Sequence, residues 1–168
     1  MSLTPVVRRT WAPRGQTPVL RARFNWKRIS MAAALAYQPD GASARLLFAT
    51  RAGAYNDESL IEFLRQLRCH LPAKVTLLWD GLPSHRSKTM QAYLRSQRHW
   101  LVAEPLPAYA PDLNPVEGLW GNIKGQELAN LCADTIDECV RAARRGIDRV
   151  RRDPDLALAL LARTGLSF

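Results

Sequence analysis

The chain has 168 residues, of which 47% are hydrophobic and 23% charged, so it is long enough for one domain with a sizeable core. Its longest apolar run, Met31–Tyr37, is far shorter than the roughly 20 residues of a membrane span, and the sequence shows no signal-peptide pattern. We therefore expect a cytoplasmic protein with no membrane partner. Three cysteines without the paired spacing of a zinc site are expected to be buried, reduced thiols: Cys69, Cys132 and Cys139.

The formal net charge of +9 indicates a polyanionic partner, and the excess charge lies at the N-terminal end. Seven of the 24 basic residues precede Asp40, the first acidic residue, which leaves 17 basic against 15 acidic residues in the rest of the chain. Trp11, Phe24 and Trp26 lie among these arginines, a pattern typical of packing or nucleic-acid contact, although a solvated basic tail is the alternative. The candidate DNA-binding residues of this segment are Arg8, Arg9, Arg14, Lys27 and Arg28.

Residues 1–28 contain several prolines and glycines and are expected to form an irregular or hairpin region. Two strands follow, Arg28–Tyr37 and Ala44–Thr50, joined by a turn that contains Asp-Gly. Asn56 then offers a helix N-cap, and apolar residues recur at helical spacing as far as Pro72.

The run Val75–Trp79 predicts a strand buried on both faces, and it ends on Asp80. Four helices and one more strand follow: a helix Ser87–Gln97, a strand within 99–107, a helix from Asn114 to about Leu131, a helical region Thr135–Arg152, and a short helix from Pro154. This alternation predicts an α/β fold of one domain, 1–168, with 134–168 as its C-terminal helical extension. Ligands of open α/β sheets bind at the carboxyl ends of strands, which is where Asp80 falls.

Glu117 has two interpretations, as a helix cap and as a metal ligand. Asn114 suits the N-cap, Pro115 the first helical position and Glu117 the capping-box position, so the local pattern favours the cap. The same helix, however, places Glu117, Gly121 and Lys124 on one face beside an apolar stripe. This face suits a metal site beside a phosphate backbone, because it presents an acid, a position without a side chain and a base.

Three segments carry a resemblance to a known family: "RRTWAPRGQTP", "LLWDGLPSH" and "LPAYAPDLNPVEGLWGNIK". In this order they resemble the catalytic domain of Tc/mariner-type insertion-sequence transposases, which carry three acids, the DDE triad, on an RNase H-like fold. The resemblance implies a mixed sheet flanked by helices. It also implies that Asp80 and Glu117, 37 positions apart, are the second and third catalytic acids and metal ligands.

The chemistry of that family explains these residue types. Carboxylates on adjacent elements can hold two Mg²⁺ or Mn²⁺ ions, which clamp the attacking and leaving oxygens of a phosphoryl transfer. The resemblance therefore implies cleavage and transfer of DNA strands, with transposon ends and target DNA as partners. Lys124, on the same helix face as Glu117, is the candidate for contact with a DNA phosphate. His85 either orients a carboxylate, contacts phosphate, or is an ordinary residue of a helix start.

The sequence departs from the family pattern at two places. Gly81 stands where the family often has Asn, and no acid precedes Asp40, although the family's first acid lies on a strand just upstream of the residues at Met1. Asp57 and Glu58 lie at a helix start and do not replace it. We therefore expect an incomplete catalytic domain that lacks its first strand and is inactive alone.

Three alternatives remain open at this stage. The chain is a gene remnant, an internal-start product or the second half of a split reading frame, with an upstream transposase half or further copies of itself as partners. The chain is a catalytically inactive DNA-binding remnant or a modulator of a full-length transposase. Or it is another RNase H-like nuclease that obtains its third acid elsewhere.

Overall fold

Four strands and five helices make up the part of the chain that the computed structural model describes, residues 1–22 and 28–166. In chain order they are β1 (Ile29–Tyr37), β2 (Ala44–Ala52), α1 (Asp57–His70), β3 (Val75–Trp79), α2 (Lys88–Ser96), β4 (Leu101–Pro105), α3 (Pro115–Gly125), α4 (Ile136–Arg152) and α5 (Pro154–Ala162). Short 3₁₀ turns at Pro83–His85 and Pro111–Leu113 precede α2 and α3. The predicted α/β order is confirmed. No helix among these residues is long and apolar enough to span a bilayer.

The four strands form two separate pairs within the described residues. β1 and β2 are an antiparallel hairpin, in register from Ile29 opposite Ala52 to Tyr37 opposite Ala44. Their turn uses the Asp-Gly signal: Gly41 has φ +67°, and the Asp40 carboxylate accepts the Ala42 N–H at 2.9 Å. β3 and β4 are parallel, with α2 as their crossover.

β3 differs from its prediction in two respects. We expected a central strand buried on both faces, but β3 pairs only with β4 among the described residues, and Leu78 is 52% exposed. Val75, Leu77 and Trp79 pack against α1 and α2, whereas Thr76 and Leu78, on the opposite face of the strand, are exposed. An apolar run indicates that its residues favour burial, but whether one or both faces of the strand are covered depends on elements elsewhere in the fold.

Two hydrophobic cores lie on opposite faces of the hairpin. The first, the α1–α2 core, consists of Leu47, Ile61, Leu64, Leu67, Met90, Trp100 and Leu101. The second, the α3–α5 core, is built around Leu46, Leu119, Ile123, Leu128, Ala142, Ala143, Ile147, Val150, Ala157 and Leu160. Since side chains alternate along a strand, Met31, Ala33 and Leu35 pack on the α3–α5 core, while Ala34 and Ala36 pack on the α1–α2 core.

The helix starts agree with the sequence. The Asn56 side chain accepts the Ser59 N–H in a reciprocal capping box, and Ser87, Asn114, Thr135 and Asp153 cap the four later helices. The end of α3 does not agree, because it stops at Gly125 rather than near Leu131. Residues 126–131 form turns instead: Leu128 enters the α3–α5 core, and Asn130 has φ +56°.

The N-terminal segment, residues 1–22, has no regular element but is held at several points. Met1 and Ile29 exchange two backbone hydrogen bonds, the Asn130 N–H donates to Val6 O at 2.9 Å, and the Arg8 N–H donates to the Asn130 side chain at 2.8 Å. Leu3 is buried with Cys139. The expectation of three buried thiols was wrong: Cys139 is buried, but Cys69 and Cys132 are exposed.

Candidate metal and DNA site

Asp80 is the first residue after β3, so the strand fixes where its carboxylate lies. Oδ1 of this carboxylate accepts the Leu82 N–H at 3.3 Å, an Asx-type turn that closes the strand end. The Asp80 side chain is 47% exposed, so its carboxylate oxygens remain accessible to an external ligand. The prediction that Asp80 terminates a strand is confirmed.

His85 supports Asp80 from the following 3₁₀ turn. Its Nδ1 lies 3.0 Å from Asp80 Oδ1 and 2.9 Å from the Asp80 carbonyl oxygen, and its ring stacks on Trp79 with centroids 4.1 Å apart. Both neighbours are oxygen acceptors, so Nδ1 carries a hydrogen and donates it. The imidazole, whose side chain is only 11% exposed, therefore holds the carboxylate in one orientation. Trp79 is a contributor that the sequence did not reveal, because its alternation along β3 indicated only a core residue.

Glu117 lies in the first turn of α3 and is exposed. The Asn114 side chain accepts the Val116 N–H at 3.1 Å, and the Asn114 N–H donates to Pro111 O at 2.9 Å. The amide that a capping-box acid would bind is thus already occupied. Glu117 has no side-chain hydrogen bond or ion pair within the described part of the chain, so the capping interpretation was wrong and its carboxylate is available.

Asp80, His85, Glu117 and Lys124 all line one large cavity of about 1900 Å³. Its walls include β1, β3 and the start of α3, because the two strand pairs stand apart from each other. The predicted α3 stripe is confirmed: Leu119 and Ile123 are buried in the α3–α5 core, which turns the Glu117, Gly121 and Lys124 face outward. This orientation lets one helix carry a carboxylate and an ammonium group at the same opening.

The basic N-terminal residues lie outside the cavity. Arg8, Arg9, Arg14 and Arg28 are exposed and do not line it, and Lys27 lies outside the described residues. Arg28 and Lys124 both lie near the Met1 amino group, whose pKa is lowered first by burial and then by these two positive charges. Positive charge therefore extends from the N-terminal segment to the cavity rim at α3.

Asp80 and Glu117 are ligands of the type that a hard divalent cation prefers, but two carboxylates are fewer than a metal site of this kind needs. Carboxylate oxygens are the ligands that Mg²⁺ and Mn²⁺ prefer. Across residues 1–22 and 28–166, however, no three His, Cys, Asp or Glu side chains are grouped closely enough to hold a metal. The described chain thus offers Asp80 and Glu117 on one cavity and lacks a third acid beside them.

Comparison with known proteins gives a consistent family and fold. The structure resembles the Mos1 strand transfer complex with a TM-score of 0.54 at 20% identity, covering 96% of this chain and 50% of that one. It also resembles the Mos1 transposase paired-end complex with the left transposon end, at a TM-score of 0.53 and 22% identity, covering 96% and 51%. A third match is the Mos1 mariner paired-end complex with Mn, with a TM-score of 0.52 and 20% identity, covering 96% and 52%.

The chain therefore spans about half the length of these structures, whose likeness confirms the RNase H-like α/β fold expected of a mariner-type catalytic domain. A search of curated proteins gave no significant match. The profile of the DDE superfamily endonuclease family matches residues 1–139, which includes both acids and all four strands. The chain belongs to the DDE superfamily endonuclease family.

Proposed function

We propose that this chain provides two of the metal-binding acids, Asp80 and Glu117, of a transposase that cleaves and transfers DNA strands of an insertion sequence. The observation that carries the proposal is that both carboxylates line one cavity: Asp80 is oriented there by His85, and Glu117 has no side-chain hydrogen bond or ion pair among the described residues. The family match, which spans both residues, supports the same role.

Each neighbouring residue has a defined part in this function. His85 and Trp79 fix the Asp80 carboxylate at the end of β3. The Asn114 cap fixes the first turn of α3, so that Glu117 projects from a rigid helix start rather than from a loop. Lys124, two turns further along, provides a positive charge for a DNA phosphate.

Mg²⁺ or Mn²⁺, when bound by these carboxylates, would supply the charge that activates the attacking oxygen and stabilises the leaving oxygen of a phosphodiester. The neighbour with Mn and the neighbour with a transposon end support this cofactor class and DNA as the substrate. The third acid that such a site needs would come from an upstream transposase half or from a second subunit.

Nicking of a supercoiled plasmid in Mn²⁺ by the chain extended before Met1 with a strand that bears Asp tests the proposal. The substitutions Asp80→Asn and Glu117→Gln keep shape and remove charge, and each should abolish any Mn²⁺-dependent nicking. The matched control is Glu58→Gln, an exposed acid in the first turn of α1 that does not line the cavity. Nicking that survives in both site variants would rule out these residues as the catalytic acids.

A second candidate function is DNA binding without catalysis, as a modulator of a complete transposase. The absence of a grouped third acid within the described residues favours it. If the extended chain also shows no nicking in Mn²⁺, while the chain binds DNA and inhibits a transposase that contains all three acids, this second function holds instead.

A further inference from the structure

We infer that the ring of Tyr109 stacks on an unpaired DNA base beside the site that Asp80 and Glu117 form. Tyr109 lies in the loop 106–114, which connects β4 to α3. The inference rests on the proposed function only in taking DNA as the substrate, and its test needs neither a metal ion nor cleavage.

The backbone of Tyr109 is strained. Its φ of +57° lies in the left-handed region, which a bulky L-residue rarely adopts. Only one other non-glycine residue of the described chain has a positive φ, Asn130. Asparagine tolerates this conformation, and both the backbone and the side chain of Asn130 form hydrogen bonds with the N-terminal segment. Those contacts compensate for the conformation of Asn130.

Nothing in the described part of the chain compensates for the conformation of Tyr109. Its relative exposure is 102%, so the protein covers none of its ring, and it has no hydrogen bond, ring contact or ion pair among these residues. Aromatic rings are usually buried, because removing their large apolar surface from water is favourable. A strained backbone that holds such a ring in solvent therefore indicates a role in binding rather than in folding.

The loop is anchored at both ends, beside the elements that carry the two acids. The Leu106 N–H donates to the carbonyl oxygen of Trp79, the last residue of β3, at 2.8 Å. Asn114 caps α3 at the other end, and both Leu106 and Asn114 line the cavity. Tyr109 is three residues from Leu106, so their Cα atoms are at most about 11 Å apart. The ring is thus held near the cavity and outside it.

The same edge of the fold has positive charge for a DNA backbone. Arg86 is exposed, and its guanidinium lies beside Gly81, where an added Cβ would be 3.8 Å from Arg86 Cζ. Lys124 lines the cavity from α3. Basic side chains that contact phosphates, combined with aromatic rings that stack on bases, are typical of sites for single-stranded nucleic acid.

The exposed face of the ring specifies the state of the DNA. Inside an intact duplex each base is stacked between its neighbours, so a side chain can stack only on a base that is unpaired or has left the stack. The partner of Tyr109 is therefore a single-stranded segment or a locally opened strand. Stacking of this kind tolerates any base, so it adds affinity without sequence preference.

Binding of a short single-stranded oligonucleotide and of a duplex of the same sequence, measured by fluorescence anisotropy in EDTA, tests the inference. Tyr109→Ala should weaken binding of the single strand by about fivefold or more, while Tyr109→Phe, which keeps the ring, should stay within about twofold. Binding of the duplex should change little in either variant. The matched control is Val102→Ala, which trims another exposed apolar side chain, on β4 outside the loop.

Tyr109→Asn separates binding from a structural role. Asparagine adopts a positive φ more readily than tyrosine, so the melting temperature should rise by about 1–4 °C. Binding of the single strand should nevertheless fall as in Tyr109→Ala. A residue that the fold requires would instead give a lower melting temperature.

Several results would overturn the inference. They are absent single-strand binding by the unsubstituted chain, unchanged binding in Tyr109→Ala, equal loss in Tyr109→Phe, equal loss on duplex and single strand, and a lower melting temperature in Tyr109→Asn. A change of oligomeric state in Tyr109→Ala, measured by sedimentation, would assign the ring to a contact between copies instead. Failure of the extended chain to nick DNA would leave this binding result intact, and loss of the Tyr109 effect would leave the nicking result intact.

Discussion

The ring of His85 lies flat on the indole of Trp79, with an interplanar angle of 3°, while its Nδ1 contacts both the carboxylate and the carbonyl oxygen of Asp80. The end of β3, the imidazole ring and the carboxylate are thus held together within seven residues, Trp79 to His85. A carboxylate held in this way loses little conformational freedom when it binds a cation, which strengthens binding.

We predict that His85→Ala weakens Mn²⁺ binding by roughly tenfold, the lower end of the range for residues that orient a metal ligand. His85→Asn should retain most of the affinity, because its amide N–H replaces the Nδ1–H that Asp80 accepts. Calorimetric titration with MnCl₂ measures both. The exposed residue His99, which contacts Arg68, provides the control His99→Ala. Equal loss in the Ala and Asn variants would contradict a positioning role.

DNA binding should depend strongly on salt and weakly on sequence, because the N-terminal candidates are basic side chains, whose contacts with phosphates carry no sequence information. Neutralising this set should flatten the plot of log affinity against log salt by about 0.9 per lost phosphate contact. The set is Arg8, Arg9, Arg14, Lys27 and Arg28.

The matched control neutralises exposed arginines on α4, namely Arg141, Arg144, Arg145 and Arg152. Fluorescence anisotropy with two unrelated duplexes between low and high KCl measures the slopes. An unchanged slope in the N-terminal variant would identify this segment as a solvated basic tail.

Catalysis should require an acid that the described residues do not group with Asp80 and Glu117. We predict that the chain alone cleaves DNA far more slowly than a chain extended before Met1 by a strand that bears Asp, because two ions need a bridging carboxylate. The same extension with Asn in place of Asp is the control. Equal cleavage by the short and extended chains, abolished by Asp80→Ala and Glu117→Ala, would show that no third acid is needed.

Glu127 should make stability depend on pH. Arg149 donates to both of its carboxylate oxygens, at 2.7 and 3.0 Å, and this hydrogen bonding lowers the pKa of Glu127. A depressed folded-state pKa stabilises the protein above the unfolded pKa of about 4.3, and this stabilisation disappears as pH falls through the folded value.

We therefore expect Glu127→Gln to lower the free energy of unfolding by about 1–3 kcal/mol at pH 7 and by much less in acid. Urea denaturation at a series of pH values measures the difference. Glu62→Gln, which removes an exposed pair with Arg65, should change little at any pH. A Glu127→Gln effect that is constant down to strongly acidic pH would contradict this assignment.

Gly146 is required by close helix packing. A Cβ at this position would lie 2.7 Å from Glu127 Oε2 and 3.0 Å from Ile123 Cγ1, so Gly146→Ala should destabilise the protein by about 1–3 kcal/mol. The control, Gly125→Ala, has nothing within 4 Å of the new methyl group and should be neutral or slightly stabilising. Thermal unfolding measures both, and equal melting temperatures would contradict the packing argument.

The local features of the chain could be predicted from its sequence because they depend on neighbouring residues. The hairpin turn at Gly41, the cap at Asn114 and the position of Asp80 after β3 are all set by residues within a few positions. Features set by distant residues could not be predicted. Leu128, just beyond the end of α3 at Gly125, packs in the α3–α5 core, and Leu78 lies on the face of β3 opposite the α1–α2 core and is exposed.

The candidate site likewise has features that the sequence predicted and features that it did not. Asp80, Glu117 and His85 follow from motifs, but the release of Glu117 from a capping role depends on the hydrogen bond from Asn114 to Pro111, which closes the turn before the helix. Trp79 looked like a core residue because alternation along a strand says nothing about a stacking partner six positions later.

The hairpin that both cores share has a consequence for how the chain folds. β1 and β2 meet through a short turn, so their pairing needs little loop closure and can form on the microsecond scale before any distant contact. Residues from the α1–α2 and α3–α5 cores then condense on its two faces. Either core can pack on the hairpin first. A substitution that damages one core should therefore slow the packing of that core but leave the hairpin available to the other.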